Sequence, residues 1–194
     1  MELLKNTVNL SKFFVKDYIK PGDVVVDATA GNGKDTLFLA QKVGEKGRVY
    51  AFDVQNLAIQ KTKILLKKHG LLERVKLIQD GHENIDVYLS AHKPSCIMFN
   101  LGYLPNSDHR ITTKPDTTLK ALEKSLKLLA PAGIISIVTY QSHPGGYEEH
   151  SAVISFARKI NQRHFSVVHC KFINQINDPP ELILIQKKWG DYTE

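Results

Sequence analysis

Two stretches of the chain carry residues whose types and spacing could do chemistry together. "DATAGNGKD" (27 to 35) sets Gly31 and Gly33 between a β-branched run and a helical one. Glycine lets the backbone turn tightly and approach a ligand without a Cβ in the way, and the helix N-terminus behind offers free N–H groups to a carboxylate or phosphate. Asn32 lies between the two glycines, and Asp27 and Asp35 flank them as further candidate contacts. Asp53 ends the next strand-like run, where a carboxylate can accept from both hydroxyls of a ribose, and Gln55 just beyond can add an amide contact. In the second stretch, "CIMFNLGYLP" (96 to 105), a buried strand gives way at once to Asn100, Gly102, Tyr103 and Pro105.

Spacing separates the first stretch from a dinucleotide fingerprint. In G-x-G-x-x-G the third glycine would fall at position 36, which is Thr36 here. The site instead suits an unphosphorylated ribose, an amino-acid carboxylate for the helix amides and a positive charge that acidic walls tolerate. S-adenosylmethionine supplies all three. The third strand-like run ends in "QDGHENI", where Gly81 and His82, with Asp80 beside them, could face an adenine. Taken singly, each feature also fits a plain strand-to-helix turn, a solvated acid or an exposed histidine.

These residues need a scaffold that brings strand ends to one edge. Short apolar runs at 23–28, 48–54, 74–80, 95–100 and 134–140 alternate with helical segments, which argues for a parallel sheet covered on both faces. In the helix after Gln55, Leu57, Ala58, Leu65 and Leu66 are expected to reach the core, and Gly70 stops it. Leu119, Leu122, Leu126 and Leu129 define a later helical face with Asp116 as its expected N-cap. "FSVVHCKFI" and "ELILIQKK" are joined by too short a loop for a crossover helix, so they should pair antiparallel. The expected fold is α/β, a class I methyltransferase (Rossmann-like) domain spanning 1–194, its seven-stranded, mostly parallel sheet ending in a C-terminal antiparallel hairpin.

The 26 Lys plus Arg against 20 Asp plus Glu leave a formal charge of +6, which suits a polyanionic partner such as nucleic acid without requiring one. Cys96 and Cys170 lie in apolar runs with no metal spacing, so both are expected to be buried thiols, and no metal is expected. With no signal-peptide pattern and no long apolar run, a cytoplasmic protein is expected.

"DATAGNGKDT", "VYAFDVQ", Gly81-His82, "FNLGYLP", "ITT" (111 to 113), "HPGG" (143 to 146) and "INQINDPPELILIQKK" follow one another from about residue 21 to 188. On these residues the chain resembles the YtqB/MnmM-type methyltransferases, a family of small rRNA methylases associated with tRNA 5-(aminomethyl)uridine. Ala30 stands where some relatives carry Met. The resemblance implies S-adenosylmethionine-dependent N-methylation of the 5-aminomethyl group of a wobble (2-thio)uridine in tRNA. It also implies that Asn32, Asp53, Gln55, Gly81 and His82 contact the cofactor.

An amine attacks a sulfonium methyl only when neutral, and its ordinary pKa is near 10.4, so burial beside a like charge must favour the free base. The Asn100 amide oxygen could then accept the amine hydrogens and aim its lone pair, with Tyr103 against the uracil. His143 and Asp178 are candidate proton acceptors. Gly102, Arg110, Thr112, Lys114 and Tyr140 are candidate substrate contacts, with Arg110 and Lys114 on anticodon phosphates and Tyr140 able to stack on a splayed base. The lysine-rich 61–68 helix reads as a solvated face. A homodimer would help a small enzyme span a stem-loop, although no residue encodes one. An rRNA methyltransferase, a methyltransferase of a small amine and a nucleotide-binding module without catalysis stay open on the residues alone.

Overall fold

The computed structural model describes residues 3–102, 104 and 112–190. Seven strands form one sheet: β1 (Val24–Asp27), β2 (Arg48–Phe52), β3 (Val75–Ile78), β4 (Cys96–Asn100), β5 (Ile134–Thr139), β6 (Phe165–Cys170) and β7 (Glu181–Lys187). Their order is β3-β2-β1-β4-β5-β7-β6. The first five run parallel, and β7 pairs antiparallel with both β5 and β6. The chain reverses its direction of build between β1 and β4, and it is beyond the C-terminal strand ends at such a switch point that ligands bind in open α/β sheets.

The helices are α1 (Thr7–Val15), α2 (Lys34–Lys42), α3 (Asn56–Lys68), α4 (Ile85–Leu89), α5 (Pro115–Leu128) and α6 (Gly146–Arg158). Alternate residues of the central strands feed two cores, as a doubly covered sheet requires. Cys96 and Met98 of β4 pack with Val15, Leu39 and Leu66 from α1, α2 and α3. Ile97 and Phe99 pack with Ile85, Leu122 and Val153 from α4, α5 and α6.

Several sequence expectations change. Leu57 is 49% exposed, because α3 turns Ala58, Ile59, Thr62 and Leu66 inward instead. Asp116 lies inside the first turn of α5, behind Lys114 at the N-cap and Pro115. There its charge favours the helix dipole without capping, and proline's fixed φ starts the helix. Cys170 is only partly buried, since β6 is an edge strand. Gly70 does end α3: its φ is +66°, and the Leu71 N–H reaches back to the Leu66 carbonyl at 3.0 Å. Among the described residues no helix is long and apolar enough to cross a membrane, and no group of His, Cys, Asp or Glu could hold a metal.

Candidate active site

A cleft of about 910 Å³ opens across the C-terminal tips of β1, β2, β4 and β5. Its lining includes Gly31, Asn32, Asp35, Asp53, Gln55, Asp80, Gly81, His82, Asn100, Gly102, Thr112, Lys114, Tyr140 and His143. Asp27, Gly33 and Asp178 do not line it. Tyr103 and Arg110 lie outside the described residues.

The glycine loop is built by backbone demands. Gly31 and Gly33 have φ of +53° and +79°, and a Cβ on Gly33 would lie 2.9 Å from the Thr62 Cα. Gly33 therefore serves the contact between α2 and α3. The N–H of Gly31 donates to Asp53 Oδ2 and that of Gln55 to Oδ1, both at 2.9 Å. The carboxylate is thereby fixed at the tip of β2, with acceptor capacity left towards the cleft. Burial raises its pKa, against the pull of those two N–H groups.

Asp27, expected as a cofactor contact, is 1% exposed and sits beneath the loop. It accepts from the Thr36 hydroxyl at 2.6 Å and the Thr29 N–H at 3.2 Å, which ties the loop to α2. Thr36 thus has a structural task of its own at the position where a dinucleotide fold would place glycine. Burial first, and the charge of Asp35 second, push Asp27 up to about 7. A raised folded pKa gives stability that is complete below the unfolded value near 3.8 and is lost as the pH climbs to about 7. Denaturant unfolding from pH 4 to 9 should therefore show wild type losing stability relative to Asp27→Asn up to about 7 and then running parallel to it. A difference that stays constant throughout would contradict this.

At the tip of β3 Asp80 accepts from Asn84 Nδ2, the Tyr88 hydroxyl and the Gly81 N–H. The Asn84 amide above all holds its carboxyl below the usual range. His82 is buried, at 7% exposure, with Nδ1 3.3 Å from the Ala28 carbonyl and its ring edge-on to Phe99. Burial lowers its pKa below the ordinary 6.5, so at neutral pH it is an uncharged imidazole in the cleft wall.

The tip of β4 carries the most constrained side chain. The Asn100 N–H donates to Thr29 Oγ1 at 2.7 Å, locking β4 to the turn after β1. Asn100 Nδ2 donates to Asp35 Oδ2 at 2.6 Å, and the Tyr140 hydroxyl donates to Asn100 Oδ1 at 3.1 Å. The amide oxygen expected to serve a substrate alone is thus shared with Tyr140, and one lone pair remains. Burial, and then the charge of Asp35, raise Tyr140 to about 12, so its phenol stays a donor. Tyr140 is consequently pinned to Asn100.

His143 Nδ1 lies 3.1 Å from the Pro144 carbonyl, to which an Nδ1–H would donate. The Thr112 hydroxyl is buried and has no hydrogen-bond partner among the described residues. Lys114 is exposed on the rim. Asp178 has a φ of +47° beside Asn177 at +64°. It is an exposed residue of the β6–β7 loop and does not line the cleft, where its expected role as a proton acceptor would require it.

The family model described as "Putative rRNA methylase" matches residues 49–186. The chain belongs to this rRNA methylase family. It is also 36% identical, across 95% of its length and 70% of the relative's, to the chloroplastic tRNA (mnm(5)s(2)U34)-methyltransferase of Arabidopsis thaliana. A crystal structure from Clostridium thermocellum carrying the family's description has a TM-score of 0.92 and 48% identity, covering 94% of this chain and 98% of that one. SMU.1697c of Streptococcus mutans, solved in complex with SAH, has a TM-score of 0.86 and 38% identity, again covering 94% and 98%. The expected class I methyltransferase fold is the observed one.

Sequence reasoning missed two parts of this methylase's site. The first is a buried network under the edge: Thr113 Oγ1 accepts from the Gly102 N–H at 2.8 Å and donates to Glu149 Oε2 at 2.6 Å, while the Thr118 hydroxyl donates to Glu149 Oε1 at 2.6 Å. Glu149 is 2% exposed, and burial raises its pKa. "ITTKP" contained the signal, two hydroxyls just before a helix, but its acceptor lies on α6. The second is α1, which contributes Asn9 and Lys12 to the cleft.

Proposed function

We propose that this methylase transfers a methyl group from S-adenosylmethionine to the 5-aminomethyl nitrogen of a wobble (2-thio)uridine in tRNA, forming 5-methylaminomethyl-(2-thio)uridine. One observation carries the reading furthest: Asn100 lines the cleft with its amide nitrogen held by Asp35 and its oxygen beside the Tyr140 hydroxyl, which leaves that oxygen one lone pair to accept from a nucleophile that bears hydrogens.

The residues fit the cofactor. Asp53 would hold the ribose hydroxyls, the first-turn amides of α2 the carboxylate, and His82 and Gly81 would flank the adenine. The acids lining the cleft, Asp35, Asp53, Asp80 and Glu83, favour a sulfonium. When bound, S-adenosylmethionine supplies an electrophilic methyl group. The protein's own part is to orient and desolvate. Asn100 aims the amine lone pair, and the apolar wall of Leu101 and Leu104, both nearly fully buried, disfavours the ammonium form. His143 Nε2 is an acceptor for the proton that the methylated nitrogen sheds.

Lys34 and Lys114 are exposed where they line the cleft, which supports contacts to RNA phosphates. The Arabidopsis relative's name and the SAH held by the Streptococcus mutans protein support the same reading. A homodimer belongs to the proposal as well: Ile173 and Ile176 in the β6–β7 loop, and Trp189 beyond the far end of β7, are exposed apolar side chains on the C-terminal hairpin.

Mass spectrometry of wobble nucleosides in a strain lacking the gene tests the substrate. Unmethylated 5-aminomethyluridine should accumulate. An unchanged tRNA profile with a methyl group missing from rRNA would transfer the activity to rRNA, as the family's description has it.

A further inference from the structure

α1 reaches the reactive edge through one side chain. Lys12 Nζ lies 2.7 Å from Asp35 Oδ1, 3.5 Å from the Lys34 carbonyl and 5.6 Å from the centre of the Phe38 ring. All three contacts are to the first turns of α2. Asp35 in turn accepts from Asn100 at 2.6 Å, and Asn100 from Tyr140 at 3.1 Å. A single polar chain therefore runs from the N-terminal helix to the tip of β5.

The Lys12–Asp35 pair is not a surface ion pair, since the two side chains are only 19% and 10% exposed. Removing one partner of such a pair leaves a buried charge uncompensated, and here the Asp27 carboxyl lies close enough for Asp35 to raise its pKa. An ionised carboxylate accepts and cannot donate, so Asp35 decides which end of the Asn100 amide faces it. A half-turn of that amide would set carbonyl against carboxylate and turn the NH₂ group to the side where the oxygen now accepts from Tyr140. The site would then present donors to a nucleophile that needs an acceptor for its own hydrogens.

We infer that Lys12 is a positioning residue that, through Asp35, holds the Asn100 oxygen towards the substrate and so selects a nucleophile bearing hydrogens, an amine. This rests on the amine-methylation reading above. Because Lys12 also lines the cleft, the competing role is direct contact with the cofactor's carboxylate, which would appear as binding rather than turnover.

The test compares wild type, Lys12→Met and Lys12→Arg by calorimetry with S-adenosylhomocysteine and by steady-state methylation of an anticodon stem-loop carrying 5-aminomethyluridine. In Lys12→Met the Kd for S-adenosylhomocysteine and the KM for RNA should stay within about threefold while kcat falls roughly 10- to 30-fold, and Lys12→Arg should recover most of that loss. Unchanged kcat in Lys12→Met, or a loss confined to S-adenosylhomocysteine affinity, overturns the inference. If Lys12→Met does not fold, the charge-neutral double variant Lys12→Met/Asp35→Asn takes its place; its amide oxygen can still accept from Asn100 but no longer fixes which end of that amide faces it, so turnover between that of wild type and that of an Asn100→Ala protein supports the relay and turnover equal to either refutes it. Absence of wild-type turnover on this RNA defeats the amine-methylation reading itself, whereas wild-type turnover matched by Lys12→Met defeats only the role given to Lys12.

Discussion

Asn100→Ala is expected to lower kcat about 100-fold or more, a loss of roughly 2.7 kcal/mol in transition-state stabilisation, with the affinity for S-adenosylmethionine nearly unchanged. The split follows from position. Asn100 lies at the tip of β4, across the switch point from the loop and acid that would hold the nucleoside. Its backbone N–H bond to Thr29 does not depend on the side chain, so the turn after β1 should persist in the variant. What disappears is the oriented oxygen, together with the common partner of Asp35 and Tyr140. Single-turnover kinetics beside calorimetry would check this, and near-normal turnover would remove Asn100 from the mechanism.

Asp53→Ala should act on the other half of the site. The carboxylate fixes the Gly31 and Gln55 N–H groups and faces the cleft, so alanine removes the expected acceptor for two ribose hydroxyls and leaves two backbone donors without their partner. Charge-assisted hydrogen bonds contribute about 1.5–3 kcal/mol each, so the Kd for S-adenosylmethionine should rise on the order of 100-fold or more. Once the cofactor is saturating, kcat should recover much of its wild-type value. Calorimetric titration gives the first quantity and steady-state kinetics the second; an unchanged Kd would place the nucleoside elsewhere.

The contrast between these two residues also shows what the sequence could reveal. Gly31, Asp53, Gly81 and Asn100 could be singled out because a glycine turn or a strand tip marks each position within a few residues, whereas the bonds from Asn100 to Asp35 and Tyr140 could not. The antiparallel hairpin was legible from loop length alone. Tasks that depend on a distant partner were hidden. Asp27 sits in the same loop motif as Asp35, yet only the packed structure shows that Thr36 and Thr29 occupy it beneath the loop.

α1 escaped notice because the face it buries is Thr7, Ser11 and Val15, two hydroxyls and one valine, so no hydrophobic period stands out. Its polar positions are satisfied across the molecule, Ser11 by Ser136 at 2.7 Å and Thr7 by the Pro180 carbonyl at 2.6 Å. The same holds for Glu149, whose two hydroxyl donors come from beside and within α5. Asp178 shows the opposite case: an acid in a proline-rich loop drew attention, but it does not line the cleft. The lysines of α3 were read correctly as a solvated face, with Lys63, Lys67 and Lys68 all exposed.

The most direct measurement is methyl transfer in vitro from isotope-labelled S-adenosylmethionine to an anticodon stem-loop bearing 5-aminomethyluridine at the wobble position, followed by nucleoside mass spectrometry. The predicted result is label in 5-methylaminomethyluridine, abolished when the aminomethyl group is absent from the RNA. Label on another nucleoside, or none at saturating cofactor, would contradict the assignment of the Asn100 edge to an amine.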